Sequence, residues 1–184
     1  DKMDEKIAIQ LLRRYSPNRE AFDKVLSHST AVQKLALEIA EKINNAGKAK
    51  VDIEFVRTAS LLHDIGRFVN PPGKDSMRHG IAGAEIMLKE DPDKRYALVC
   101  ERHLGAGITK KDIIEKKLSL PPKDYVPLSV EEKIIAHADN LLWGKKVMPI
   151  ETVIDRFTKE IDEETGKRIK KLSDEIESLV AKKK

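Results

Sequence analysis

Apolar positions recur every three or four residues along almost the whole chain, the spacing of helices that each bury one face. Ile7, Ile9, Leu11 and Leu12 predict a short amphipathic helix from Asp4 to Arg13. Ser16 and Pro17 offer a cap and a first helical residue for a second helix, through Phe22, Val25 and Leu26. Ser27 is placed to cap a third, whose stripe is His28, Val32, Leu35, Ala36, Ile39, Ala40 and Ile43, and which ends at Asn44, Asn45 and Gly47. Asp52 caps the next, through Phe55, Val56, Ala59 and Leu62, and this helix runs out at His63-Asp64. His79 opens a helix carrying Ile81, Ala82, Ala84, Ile86 and Leu88, in which Gly80 and Gly83 imply close packing on a neighbour. Asp91-Pro92 starts another that reaches His103, where Gly105-Ala106-Gly107 breaks it. Thr109 with Asp112, and Ser129 with Glu132, have the spacing of capping boxes. The first opens a short helix to Leu118; the second opens one with the stripe Ile134, Ile135, Ala138 and Leu141, which carries Asp139. Two more helical patterns follow, around Val153, Ile154, Phe157 and Ile161, then Ile169, Leu172, Ile176 and Leu179.

Between these segments, Asn70-Pro71-Pro72-Gly73 marks a surface loop that could act as a rim or lid, and Pro121, Pro122 and Pro127 mark a second loop. No stretch alternates convincingly as a strand, and neither an internal repeat nor a linker interrupts the pattern. The expected fold is therefore all-α, a compact multi-helix bundle forming one domain over 1–184. The 184 residues suffice for one real core, and aromatics at 4% mean that Leu, Ile, Val and Ala build it. No apolar run approaches the roughly 20 residues of a membrane span, and the charged N-terminal stretch lacks the apolar segment of a signal peptide. Cys100, the single cysteine, excludes an internal disulfide and fits a reducing cytoplasm. A net charge of +4 suits anionic substrates, with part of the excess in Lys182, Lys183 and Lys184. Acidic residues interspersed almost everywhere argue against nucleic acid as a partner.

The chemistry centres on Leu61-Leu62-His63-Asp64-Ile65-Gly66-Arg67-Phe68. Apolar neighbours call for burial here, and a buried carboxylate needs a counter-charge, which a cation held jointly with His63 would supply. Gly66 could take the left-handed conformation that ends a helix and leave both side chains at its mouth. An isolated His-Asp pair is better explained by hydrogen bonding at a helix end. What changes the weight is that His28, His63, Asp64, His79, His103 and Asp139 all fall at helix starts or ends.

In their order and context these residues resemble the HD-domain metal-dependent phosphohydrolase superfamily. The resemblance rests on His28 to Val32, Leu62 to Arg67, His79 to Ala84, Glu101 to His103 and Ala138 to Leu141, and covers about residues 20–145. The helices of 150–184 would then be a C-terminal extension, with decoration of that core as their simplest role. The resemblance implies one metal on His28, His63, Asp64 and Asp139, and a second on His79, His103 and the other oxygen of Asp64. One or two divalent transition ions (Mn, Fe, Co, Ni or Zn) would fit such nitrogen and oxygen ligands. It implies hydrolysis of a nucleotide or another small phosphate ester or anhydride by a hydroxide bridging the metals, with Asp64 and Arg67 as the catalytic residues. A di-iron oxygenase, or a non-catalytic metal-stabilised domain that senses a nucleotide, are the alternatives within the same fold.

Arg67 stands where many relatives carry Lys; it can hold a phosphate in two hydrogen bonds but does not give up a proton. Its other reading is a salt bridge at a helix end. No glycine-tyrosine-proline tripeptide follows Arg102-His103-Leu104-Gly105, which argues against cyclic-di-GMP as substrate. The expected partner is a small phosphorylated molecule, with a homodimer left open and no membrane involved. His137, two residues before Asp139, should point away from it and be structural. Cys100 is expected as a buried small hydrophobe, Trp143 as core, and Lys74, Arg78 and Arg102 as solvated charges.

Overall fold

In the computed structural model, which describes residues 2–182, most helix starts can be traced to a short polar side chain or to the end of the helix before it. Lys183 and Lys184 lie outside the described residues. Helix α1 (Glu5–Tyr15) is capped by Asp4, whose carboxylate accepts from the Ile7 amide at 2.8 Å. Helix α2 (Arg19–Ala46) starts two residues later than Ser16-Pro17 suggests. Asn18 is the cap, accepting from Ala21 at 2.8 Å, while the Ser16 hydroxyl is committed to the Arg13 carbonyl and closes α1. Nor does Ser27 open a new helix. The buried positions Phe22, Ser29, Val32, Ala36, Ile39, Ala40 and Ile43 stay in phase through 28 residues, so the backbone never leaves the helix until Gly47, at φ 75°.

Helix α3 (Ile53–Leu62) begins at Asp52 as expected and hands over to a 3₁₀ turn at Ile65–Phe68. Helix α4 (His79–Glu90) opens on His79. Helix α5 (Arg95–Arg102) starts three residues after Pro92, because the Asp91 and Asp93 carboxylates first accept from the Asp93 and Arg95 amides and hold a turn. Both capping boxes form, opening α6 (Lys110–Glu115) and α7 (Val130–Leu141). The short α6 stops before Leu118, where Lys117 takes a left-handed conformation at φ 52°. A two-residue hairpin, β1 (Leu142–Trp143) against β2 (Lys146–Val147), leads to α8 (Ile150–Glu160) and α9 (Glu163–Val180). Trp143 is 55% exposed and is not core, since it lies on the outer face of that hairpin.

The structure is all-α apart from the hairpin, with nine α-helices among the described residues. Its core packs α2 against α3 and α7, and α4 against α5, around Leu62, Ile65, Met87, Ile134 and Ile135, all essentially fully buried. The last two helices are not decoration. Ile169 and Ile176 of α9 are each 1% exposed against α7 and α2, a burial that stabilises by about 1.5–3 kcal/mol per side chain. Arg168 pairs with Asp112, and Lys116 reaches Asp162 at 2.6 Å, tying the α8–α9 pair to α6.

Candidate metal centre

Three of the cluster's histidines are held by one local device. His63 and His103 cap the C-termini of α3 and α5, where helix carbonyls lack amide partners, and His79 stands at the start of α4. In each ring Nδ1 faces the carbonyl three residues earlier: Ser60 at 2.6 Å, Cys100 at 2.7 Å, and Ser76. A carbonyl can only accept, so each Nδ1 carries a hydrogen and each Nε2 faces the cluster, where its lone pair takes a proton or a cation. Those three carbonyls do the orienting, and no side-chain pattern in the sequence announces them.

Glycines bring the elements together. Gly66 does not take the left-handed conformation expected of it; it lies buried in the 3₁₀ turn, and a methyl group there would overlap the His79 carbonyl. Only glycine lets the turn bearing Asp64 approach the first turn of α4 so closely. Gly80 and Gly83 serve the same end on the other side, pressing α4 onto Cys100 and so drawing His79 toward His103. Cys100 is fully buried with its Sγ 3.4 Å from the Leu62 carbonyl, and burial pushes its thiol up, as suits a small hydrophobe.

The six side chains named from sequence converge. Asp64 divides its oxygens between two pairs of rings. His28 Nε2 lies 3.4 Å and His63 Nε2 3.6 Å from Oδ2, and the same two nitrogens lie 2.8 Å and 3.6 Å from Asp139 Oδ1. On the other side, His79 Nε2 and His103 Nε2 lie 3.2 Å and 3.1 Å from Oδ1, and 3.0 Å from each other. Three lone-pair atoms at such spacing repel unless a proton or a cation sits among them. His63 Nε2 is in addition buried without any hydrogen-bond partner. These atoms form three overlapping groups, each with ligand atoms within 4.8 Å of one another, able to hold a metal ion. The donor set therefore fits one.

Electrostatics run the same way. Burial alone would raise the Asp64 carboxyl, but the charge of His63 and hydrogen bonds from His103 and His79 outweigh it and hold it well below the usual range. Asp139 is likewise held low against burial, by the hydrogen bond of His28 and the charge of His63. Burial favours neutral His63, yet Asp64 and Asp139 push it up to about 9, whereas burial prevails at His103 and pushes it down. A cation and a proton compete for these lone pairs, so metal uptake releases protons.

The cluster forms the floor of a cleft of about 990 Å³. Arg67 lines it, with Nη1 buried and without a hydrogen-bond partner, and among the described residues no carboxylate forms the salt bridge at the helix end. Arg78 donates to the Ser119 carbonyl and Arg102 pairs with Glu132 at 2.9 Å, so neither is simply solvated; Lys74 is exposed. His137 is buried, with burial pushing it down to about 4, and takes no part in the cluster. Sequence reasoning missed Arg156 and Phe157 of α8, which line the same cleft. Their spacing is that of any amphipathic helix, and nothing local reveals that α8 lies over the site.

The family of HD domains matches residues 25–144, which takes in all six converging side chains. The chain belongs to the HD-domain phosphohydrolase superfamily. This HD domain is 47% identical over 160 residues to Uncharacterized protein MJ0778 of Methanocaldococcus jannaschii, covering 86% of the chain and 90% of that protein. It is 37% identical over 177 residues to the tRNA (cytidine(56)-2'-O)-methyltransferase of Thermoplasma volcanium, covering 96% of the chain but 48% of the relative, so it spans about half that protein's length. Its fold is shared with the HD domain of L. monocytogenes phosphodiesterase PgpH, solved in complex with cyclic-di-AMP, at 19% identity and a TM-score of 0.53 over 95% of this chain and 93% of that one. Helices α8 and α9 lie beyond the family match. No helix among the described residues is long and apolar enough to cross a membrane.

Proposed function

We propose that this HD domain is a two-metal phosphohydrolase that cleaves a small nucleotide at a phosphate ester or anhydride. The observation that carries the reading is the division of Asp64, Oδ2 toward His28 and His63, Oδ1 toward His79 and His103. One ion would be held by His28, His63, Asp64 and Asp139, the other by His79, His103 and Asp64. Nitrogen and oxygen donors suit Mn, Fe, Co, Ni or Zn. Bound there, such ions acidify water and neutralise charge on a phosphoryl group.

The chain's own residues supply the rest. The Nδ1 bonds to Ser60, Ser76 and Cys100 lock three rings in the ligand tautomer before anything binds. Burial of His63, His79 and His103 keeps bulk water from competing for their nitrogens. Arg67 offers an unpaired guanidinium nitrogen to a phosphoryl oxygen; it orients and neutralises the phosphate but does not protonate a leaving group. The PgpH domain is named a phosphodiesterase and was solved in complex with cyclic-di-AMP, which supports a nucleotide for this chain too.

The test is metal analysis of anaerobically purified protein followed by phosphate-release assays on nucleotides with Mn²⁺, Fe²⁺, Co²⁺ and Ni²⁺. Release that depends on one of these ions is the expected result. Bound metal with no release from any nucleotide would replace the hydrolase by a sensor, and O₂ consumption by the iron-loaded protein would replace it by an oxygenase.

A further inference from the structure

The cleft extends well beyond the histidine cluster, and one of its walls comes from α8, outside the HD match. That helix has an apolar stripe of Ile150, Val153, Ile154, Phe157 and Ile161, yet only Val153 is buried, and Ile161 is 58% exposed. The helix is nevertheless fixed in place. Gly166 of α9 lets the two helices touch at Thr158, and the Phe157 ring borders Gly105, whose carbonyl accepts from Asn140 at 3.0 Å beside Asp139. So the ring stands at a set position relative to the cluster rather than on a loose arm.

Arg156 is the second observation. Its guanidinium carbon lies 5.3 Å from the Phe157 ring centroid and 5.5 Å from that of Trp143. Its Nε is buried without a hydrogen-bond partner and is held only by a long ion pair, 3.6 Å from Glu160 Oε2. A buried N–H without a hydrogen bond is costly, and here the guanidinium borders a cleft beside a half-buried aromatic ring.

We infer that α8 is the wall that receives the base of a nucleotide, with Phe157 offering a ring face and Arg156 donating to acceptors on the base edge. The inference rests on the proposed function in placing the phosphate at the histidine cluster. A flat base is matched by Phe157, Ile161, Leu104 and Leu142, which line this end of the cleft, whereas a second phosphate would be desolvated among them with a single counter-charge. Aromatic stacking tolerates any base, and the guanidinium fork favours a purine edge that presents acceptors.

Trp143 is the only tryptophan in the chain and lies against Arg156, so its fluorescence reports on this wall with or without turnover. The experiment titrates the whole, Zn²⁺-loaded protein with AMP, GMP and CMP, and with ribose 5-phosphate and pyrophosphate as probes that lack a base. Saturable changes with the nucleotides, strongest for the purines, and none or far weaker ones with the other two are expected. Arg156→Ala and Phe157→Leu should weaken nucleotide binding about tenfold and narrow the preference over ribose 5-phosphate. A change confined to folding would lower affinity for all probes alike, and Phe157→Leu keeps most of the apolar volume. Equal binding of ribose 5-phosphate, no binding of any nucleotide, or wild-type discrimination in both variants would overturn the inference. Saturable nucleotide binding without turnover would instead count against hydrolysis and leave the base wall standing.

Discussion

A carboxylate has two oxygens to share, while an imidazole whose Nδ1 is committed to a carbonyl has one nitrogen left. In this cluster that difference singles out Asp64 as the residue two ions can hold in common. Loss of an outer hydrogen-bond partner of a metal ligand costs 10–100-fold, so loss of a ligand shared by two ions should cost more. Asp64→Ala is expected to lower phosphate release by roughly a thousandfold and to reduce metal content at both sites, read by elemental analysis beside the assay. Two metals with full activity in that variant would remove Asp64 from the centre. Arg67 poses the complementary case, a charge in the cleft with a buried unpaired nitrogen, tied to the ligands only through its backbone amide, which donates to the Asp64 carbonyl at 2.9 Å. A charge-assisted hydrogen bond to a phosphate is worth about 1.5–3 kcal/mol, so Arg67→Ala should lower kcat/KM by about ten- to hundredfold while metal content stays at the wild-type level. Lost metal would mean that Arg67 supports the turn instead.

At the scale of elements, the site depends on how closely the 3₁₀ turn at Ile65–Phe68 approaches α4. Gly66→Ala would drive a methyl group into the His79 backbone, which cannot move aside as a flexible side chain can. A cost of about 3 kcal/mol, or roughly 10 °C in Tm, is expected together with weaker metal retention, measurable by calorimetry and elemental analysis. Unchanged stability would show that the turn and α4 are not in the tight contact described. The anchor between α6 and α9 makes a separate prediction, in pH. The hydrogen bond from Arg168 and the cap at Thr109 outweigh burial and hold the Asp112 carboxyl at about 2, below its usual 3.8. Because the folded value is the lower one, the stabilisation is fully present above about pH 4 and is lost as pH falls through about 2, on the order of 2 kcal/mol in all. Arg168→Met should therefore lower stability above pH 4 and flatten the acid limb between pH 4 and 2; an acid limb like the wild type's would contradict this. The capping boxes at Thr109 and Ser129 could be read from sequence because cap and partner lie three residues apart. The start of α2 could not, since Ser16 and Asn18 are both good caps and the choice turned on which hydroxyl or amide the preceding helix had already engaged.

For the molecule as a whole, the cluster was legible because His63, His79, His103 and Asp64 mark helix ends, and ends are what a helical chain shows most clearly; His28 lies inside α2 and was placed by the family resemblance. The cleft above it was not. Arg156 and Phe157 reach it only because α9 packs on α2 and α7 and carries α8 with it, a long-range arrangement with no local signature. The same packing makes α8 a wall of the cleft and not an appendage to the fold. The central claim is that two ions share Asp64, and the most direct measurement is metals per chain in the wild type, His79→Ala and His103→Ala, with phosphate release on the same samples. Two metals in the wild type, one in each variant and a steep loss of release in both are the expected result, since His28, His63, Asp64 and Asp139 still hold the first ion. One metal in the wild type at saturating Mn²⁺ or Fe²⁺, with both variants fully active, would contradict the account.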